Sequence, residues 1–405
     1  MSTVASTPSS TTTRYPRAAR TLLRMLEHLQ IGHLTLHTPE GETLHFDGAE
    51  PGLEAEWTIL DWRVLTILAR DGDIGFGRAY MENLWESNDL VALLRLAIGN
   101  RDMVEKYVEG AFTRRLWFWI FDRLLRANTK KGSRRNIAFH YDLGNDFYQL
   151  WLDSSMTYSS ALYEGNYMLT LSAAQERKYA RALDELMLEP GARILEIGCG
   201  WGGFAEYAAA RGYFVHGITL SKEQLAYAQE RLQRAGLSER VEFSLTDYRD
   251  LREQYDGIVS IEMVEAVGAA WWPTYFGQLR KLLRLGGRAL VQSITIADYR
   301  FNSYQKSSDF IRRYVFPGGM LLSPSRLRKE IEAAGLRQLQ RKDFGLDYAR
   351  TLRLWRESFE CQEEALNKLG YDSVFRRMWR FYLVYCEAGF MEGETDLTQV
   401  TLSHA

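Results

Sequence analysis

Hydrophobic and polar residues alternate from Ile31 to Asp47: Leu34 and Leu36 fall on one side, Leu44 and Phe46 match them, and Pro39-Glu40-Gly41 supplies the turn. This predicts a hairpin. His33, His37 and His45 share its opposite face. No cysteine or carboxylate clearly completes a metal constellation there, so the three are read as solvated, no metal site is assigned, and they receive no role. Helical periodicity follows over Asp61 to Arg70 and over Ala79 to Ile98, closing at Gly99-Asn100 as a helix C-terminus would. The N-terminal part is therefore a smaller α+β domain.

From Ala192 the period changes. Short apolar runs at Arg193 to Ile197, Tyr213 to Ile218, Val241 to Leu245, Asp256 to Ile261 and Arg288 to Ile294 alternate with helical stretches. That order predicts an α/β fold with a doubly wound parallel sheet. Two further strands, near Leu336 to Lys342 and Leu397 to Ser403, complete it after a helical insertion from Thr351 to Cys386. The domain reading is a disordered tail over 1–13, an N-terminal domain over 14–110, a connecting segment over 111–135 and a second domain over 136–405.

The net charge of −2 carries no footprint for nucleic acid, so its local distribution matters more. Arg114, Arg115, Arg123, Arg126, Lys130, Lys131, Arg134 and Arg135 face one acid, Asp122, among Leu116, Trp117, Trp119, Ile120, Phe121, Leu124 and Leu125. Two readings stand side by side: a helix attaching to an anionic membrane surface, or a connecting helix whose aromatics are core and whose bases are solvated. No apolar run is long enough to span a bilayer, so membrane contact is expected to be peripheral, on the cytoplasmic inner face. Cys199, Cys361 and Cys386 are widely separated and odd in number, which excludes a disulfide framework and fits a reducing cytoplasm.

Glu196-Ile197-Gly198-Cys199-Gly200-Trp201-Gly202-Gly203 falls where the first strand of this sheet meets its helix. Glycines there let the backbone approach a cofactor closely. The spacing of Gly198, Gly200 and Gly203 also satisfies the dinucleotide fingerprint. The neighbours decide between the two. A dinucleotide site needs an acid at the end of the second strand, where this chain has Gly217-Ile218-Thr219-Leu220-Ser221. Glu196 suits the positively charged amino acid end of S-adenosylmethionine, and Asp247 and Tyr248 after the third strand suit its adenosine.

His140-Tyr141-Asp142-Leu143-Gly144-Asn145-Asp146, Met156-Thr157-Tyr158-Ser159, Leu195 to Gly202, Gly217 to Ser221, Ile311 to Gly318 and Phe344 to Tyr348 together resemble the cyclopropane fatty acid synthase and mycolic acid methyltransferase family. The stretch Ala79-Tyr80-Met81-Glu82-Asn83-Leu84-Trp85 resembles the extra domain of its longer, phospholipid-acting members. The resemblance implies a Rossmann-like class I methyltransferase fold. It also implies S-adenosylmethionine contacts at Tyr158, Ser159, Gly198, Gly200, Thr219 and Gln224, with Glu265 and Tyr348 at the reacting centre. Family members hold a bicarbonate ion there as base, through a Cys, a Glu, a His, an Ile and a Tyr. The corresponding positions here are Ser160, Glu265, Gln292, Ile294 and Tyr348, and Ala266 stands where many members have His. A homodimer is implied as well, on which the sequence itself is silent.

The activity so implied is transfer of a methyl carbon to the double bond of an unsaturated phospholipid acyl chain. Tyr158, Tyr163, Phe310 and Tyr314 are candidates to stabilise the resulting cation through their ring faces. Loss of a proton from the new methyl group closes a cyclopropane; loss elsewhere leaves a methylene or methyl-branched alkene. A non-catalytic lipid-binding protein on a methyltransferase fold is the competing reading.

Overall fold

The computed structural model describes residues 15–108 and 143–405. The Ser/Thr-rich tail and the basic aromatic segment at 114–135 lie outside those residues. The described chain divides into two compact units, residues 15–108 with Ser373–Ala388, and residues 143–372 with 389–405. Residues 373–388, read from sequence as part of the second domain, thus group with the first unit.

The first unit carries a four-stranded sheet, β1 (Ile31–His37), β2 (Thr43–Asp47), β3 (Glu50–Ile59) and β4 (Trp85–Glu86), in the order β2-β1-β3-β4. The expected hairpin is present, with Leu34 opposite Phe46 and Leu36 opposite Leu44. Each of its histidines is engaged across the strands: His33 with Asp47, His45 with Thr35 and His37 with Thr43. Strand β3 is new, and sends Ala55, Trp57 and Ile59 inward on alternate positions.

The expected helix over Ala79–Ile98 is instead two pieces. One helix runs Arg63–Met81, bending at Gly72, and another runs Leu90–Gly99. Asn83 between them takes a left-handed φ of 56°, Trp85 is buried, and Asp89 caps the second helix by accepting from the Ala92 N–H. Helical periodicity persists across the break because the core, and not the helix, fixes which residues point inward.

The second unit holds a seven-stranded sheet: β5 (Arg193–Ile197), β6 (Phe214–Thr219), β7 (Val241–Leu245), β8 (Tyr255–Ile261), β9 (Leu283–Ile296), β10 (Leu336–Asp343) and β11 (Thr395–His404). Their order is β10-β11-β9-β8-β5-β6-β7. All neighbouring pairs are parallel except the two made by β11. Side chains alternate between two cores. Ile194, Val259 and Leu290 pack with Ala182, Phe204 and Ala208 on one face, while Leu195, Ile258 and Val291 pack with Trp272, Phe276 and Leu279 on the other. Because both faces are covered at the centre of the sheet, β5, β6 and β8 are buried nearly throughout, whereas the edge strand β10, LRQLQRKD, is largely exposed. The chain runs from β5 outward to β7 and then returns to place β8 on the other side of β5, which opens a crevice at their carboxyl ends.

Candidate active site

A cleft lies at that crevice, lined from the ends of β5, β6, β7 and β8. All nine residues expected to touch the cofactor line it: Tyr158, Ser159, Glu196, Gly198, Gly200, Thr219, Gln224, Asp247 and Tyr248. Gly198 (φ 83°) and Gly200 (φ 51°) occupy the left-handed region that side chains resist. A Cβ at Gly198 would come within 3.0 Å of the Met263 side chain. Thr219 donates to Gln224 Oε1 at 2.9 Å, so the end of β6 fixes the helix that follows. Both carboxylate oxygens of Asp247 are engaged by Arg249, which ties the turn after β7.

The cleft fits a cationic cofactor end. Glu196 is buried, and its Oε2 has no hydrogen-bond partner among the described residues. Burial raises its carboxyl pKa well above the usual range, while the Lys178 and Arg231 charges pull it down. An unpaired buried carboxylate oxygen beside two left-handed glycines suits the ammonium of an amino acid.

Lys178 escaped the sequence reading. It is completely buried and donates to Ser159 Oγ and Gln175 Oε1, both at 2.7 Å. Gln175 in turn donates to the Ser159 carbonyl at 2.9 Å. Burial brings the Lys178 pKa down to about 7. In the run Glu176-Arg177-Lys178 nothing in residue type separates this lysine from its more exposed neighbours.

The five residues expected at the reacting centre are not among those lining the cleft. They gather around two buried acids just beyond β8. Ser160 N–H donates to Glu262 Oε1 at 2.9 Å, Gln292 Nε2 to the same oxygen at 2.7 Å, and the Tyr348 hydroxyl to Glu262 Oε2 at 2.7 Å. Gln292 is itself oriented by Gln399 on β11, whose amide donates to Gln292 Oε1 at 2.9 Å and so turns the Gln292 NH₂ toward Glu262. Tyr348 is held by stacking on Phe390, ring centroids 4.6 Å apart. Glu262, to which the sequence assigned no role, is the acid of this cage that lines the cleft.

Glu265 sits apart from the cage, with Oε1 accepting from the Ile294 N–H at 2.5 Å and Oε2 buried without a partner among the described residues. Its pKa is pushed up to about 8, first by burial and then by the Glu262 charge. Burial also raises Glu262, against which Tyr348, Ser160, Lys178 and Gln292 all favour the carboxylate. Glu265 is thus the acid that keeps its proton near neutrality, while Glu262 is the one whose carboxylate the surrounding donors favour against burial. Of the four aromatic candidates, Tyr158 lines the cleft; Tyr163 and Phe310 are buried elsewhere, and Tyr314 packs on Phe310 with centroids 5.0 Å apart.

A family model described as mycolic acid cyclopropane synthetase matches residues 128–400. The chain belongs to this family. It is 40% identical over 346 residues, covering 83% of this chain and 80% of the relative, to the tuberculostearic acid methyltransferase UfaA1 of Mycobacterium tuberculosis (strain ATCC 25618 / H37Rv). It is 34% identical over 335 residues to the cyclopropane-fatty-acyl-phospholipid synthase of Escherichia coli (strain K12), covering 82% of this chain and 84% of that one. The solved structure of mycolic acid cyclopropane synthase CmaA1 complexed with S-adenosylhomocysteine and CTAB superposes with a TM-score of 0.62 at 30% identity, covering 66% of this chain and 97% of that one. The protein is an S-adenosylmethionine-dependent methyltransferase of the lipid-modifying cyclopropane synthase family. No helix among the described residues is long and apolar enough to cross a membrane.

Proposed function

We propose that the protein transfers a methyl carbon to the double bond of an unsaturated phospholipid acyl chain, with cyclopropane as its first product. The observation that carries this reading is that the cleft meets, at Glu262 just beyond β8, a buried cage of three hydrogen-bond donors around a carboxylate. S-adenosylmethionine supplies an electrophilic methyl group on a sulfonium. Glu196 receives the ammonium of its amino acid end, and Gly198 and Gly200 let the backbone approach. Tyr158 and Ser159, the latter fixed by Lys178 and Gln175, hold the cofactor toward the reacting centre, while Thr219, Gln224, Asp247 and Tyr248 frame its adenosine. Ser160, Gln292, Ile294 and Tyr348, with the acids they bind, form the site where a proton leaves the methylated chain. Orientation and exclusion of water matter most here, since an alkene is a weak nucleophile and the cation it yields reacts with water.

A second reading, a methylated chain that keeps a double bond, is favoured by Gln292, whose amide cannot take up a proton as an imidazole can. The basic segment at 114–135 would place the enzyme on anionic membranes. The test supplies labelled S-adenosylmethionine with vesicles of unsaturated anionic phospholipid and follows the lipid by proton NMR. Label in lipid, upfield ring protons and an initial rate that falls with added salt are expected. Vinylic methyl or methylene signals in place of ring protons would refute ring closure, and unlabelled lipid would refute the methyl transfer.

A further inference from the structure

The resemblance to bicarbonate-holding enzymes implies an external anion among Ser160, Gln292 and Tyr348, yet each of these donors is directed at a carboxylate of the chain itself. Glu262 Oε1 accepts from the Ser160 backbone and from Gln292; Glu262 Oε2 accepts from Tyr348. Three donors converging on two oxygens is an anion site, and the anion in it is covalently part of the protein.

The backbone gives a second, independent sign. Glu262 has φ 51°, in the left-handed region that a residue with a side chain adopts only at a cost glycine does not bear. Such strain persists where the surroundings over-determine it. Here the Glu262 N–H donates to the Gln292 carbonyl at 2.9 Å, while the side chain is held by the three donors. The left-handed turn is what aims the carboxylate back into the cage just beyond β8.

We propose that Glu262 is a catalytic base built into the chain, standing where an external bicarbonate would otherwise be held. The proposal rests on the methyl transfer proposed above. In that reaction the π pair of the alkene would form the new bond to the methyl carbon while the sulfur–methyl pair stays on sulfur and S-adenosylhomocysteine leaves, so that positive charge appears on the neighbouring chain carbon. Glu262 then takes a proton from the new methyl group, and the C–H pair left behind closes the ring. Were the proton taken from the adjoining chain carbon, that pair would form a double bond. Either way the carboxylate becomes a carboxylic acid and returns its proton to water after the product leaves. Glu265, already protonated, contributes no competing charge, and Tyr348 and Gln292 position the base.

The test uses the full-length enzyme, E262Q and E262G. Glutamine keeps the side-chain shape and removes the base; glycine relieves the left-handed backbone and vacates the cage. E262Q is expected to lose about 100-fold or more in methyl incorporation, with S-adenosylhomocysteine affinity by calorimetry unchanged. E262G is expected to be equally inactive and to recover about tenfold or more with added bicarbonate, whereas the parent is indifferent to bicarbonate stripping. Carbon-13 NMR with labelled bicarbonate should show saturable binding to E262G and none to the parent. Parent turnover that falls on stripping, saturable bicarbonate binding by the parent, an E262Q turnover within about threefold of the parent's, or an E262G that neither binds nor responds to bicarbonate would each overturn the proposal. The binding arm needs no turnover: if the parent transfers no methyl to lipid, the proposed function fails while the occupant of the cage is still decided.

Discussion

The glycine loop after β5 and the cage around Glu262 serve the same cleft, yet one is eight consecutive residues, Glu196 to Gly203, and the other joins four distant segments. Glu262 is separated in sequence from Ser160 by 102 positions, from Gln292 by 30 and from Tyr348 by 86. The loop works through backbone conformation, which glycine spacing announces. The cage works through side chains that meet only when β8, β9 and the helix at Gly345–Glu360 are assembled. The loop leaves a buried carboxylate oxygen open for a ligand, whereas the cage satisfies its acid from within. The lesson is that a buried acid left with an open oxygen and a buried acid saturated by donors differ in their hydrogen bonds and not in their burial, which raises the pKa of both.

The sharpest way to break this contrast is Glu196→Gln, which removes charge from the loop and leaves the cage alone. Loss of a charge-assisted contact of about 1.5–3 kcal/mol predicts cofactor affinity weakened roughly 10- to 100-fold. Calorimetry with S-adenosylhomocysteine measures it, and unchanged affinity would show that Glu196 does not face the ammonium.

Tyr348→Phe tests the other side. Removing one hydroxyl donor is expected to lower turnover by about tenfold, with cofactor affinity unchanged. The Tyr348 hydrogen bond holds the Glu262 pKa down against burial, with Lys178 acting in the same sense and Glu265 facing it as a second acid. Its loss should therefore move the acid limb of the pH–rate profile to higher pH. A profile that falls in height without moving would assign Tyr348 a packing role.

The smallest effect concerns Glu265. Its folded pKa of about 8 lies above the ordinary 4.5, so the folded chain holds a proton that the unfolded chain releases. Its contribution to stability is fully present below pH 4.5 and is lost as pH rises through about 8. Glu265→Gln should flatten the thermal unfolding midpoint against pH across that window, and identical slopes for variant and parent would show that Glu265 is ionised throughout.

The sequence by itself determined what repeats or runs locally. Apolar runs spaced by helices marked β5, β6, β7, β8 and β9, because the sheet is covered on both faces there, while β10, LRQLQRKD, carries no such run. Gly198, Gly200 and Glu196 marked the cofactor cleft, because their conformational and charge requirements fall within a few residues of one another. Tertiary structure alone decided the rest. Strand β3 is masked by Pro51, Gly52 and three glutamates and is recognisable only once it pairs with β1. Lys178 reads as a solvated helix charge until the sheet packs over it and leaves Ser159 and Gln175 as its partners. Between Glu262 and Glu265, three positions apart on one turn, local sequence offers no basis for choosing a base. The choice is made by donors arriving from Ser160, Gln292 and Tyr348, since in a buried site the group that keeps its charge is the one whose lost hydration is replaced by hydrogen bonds.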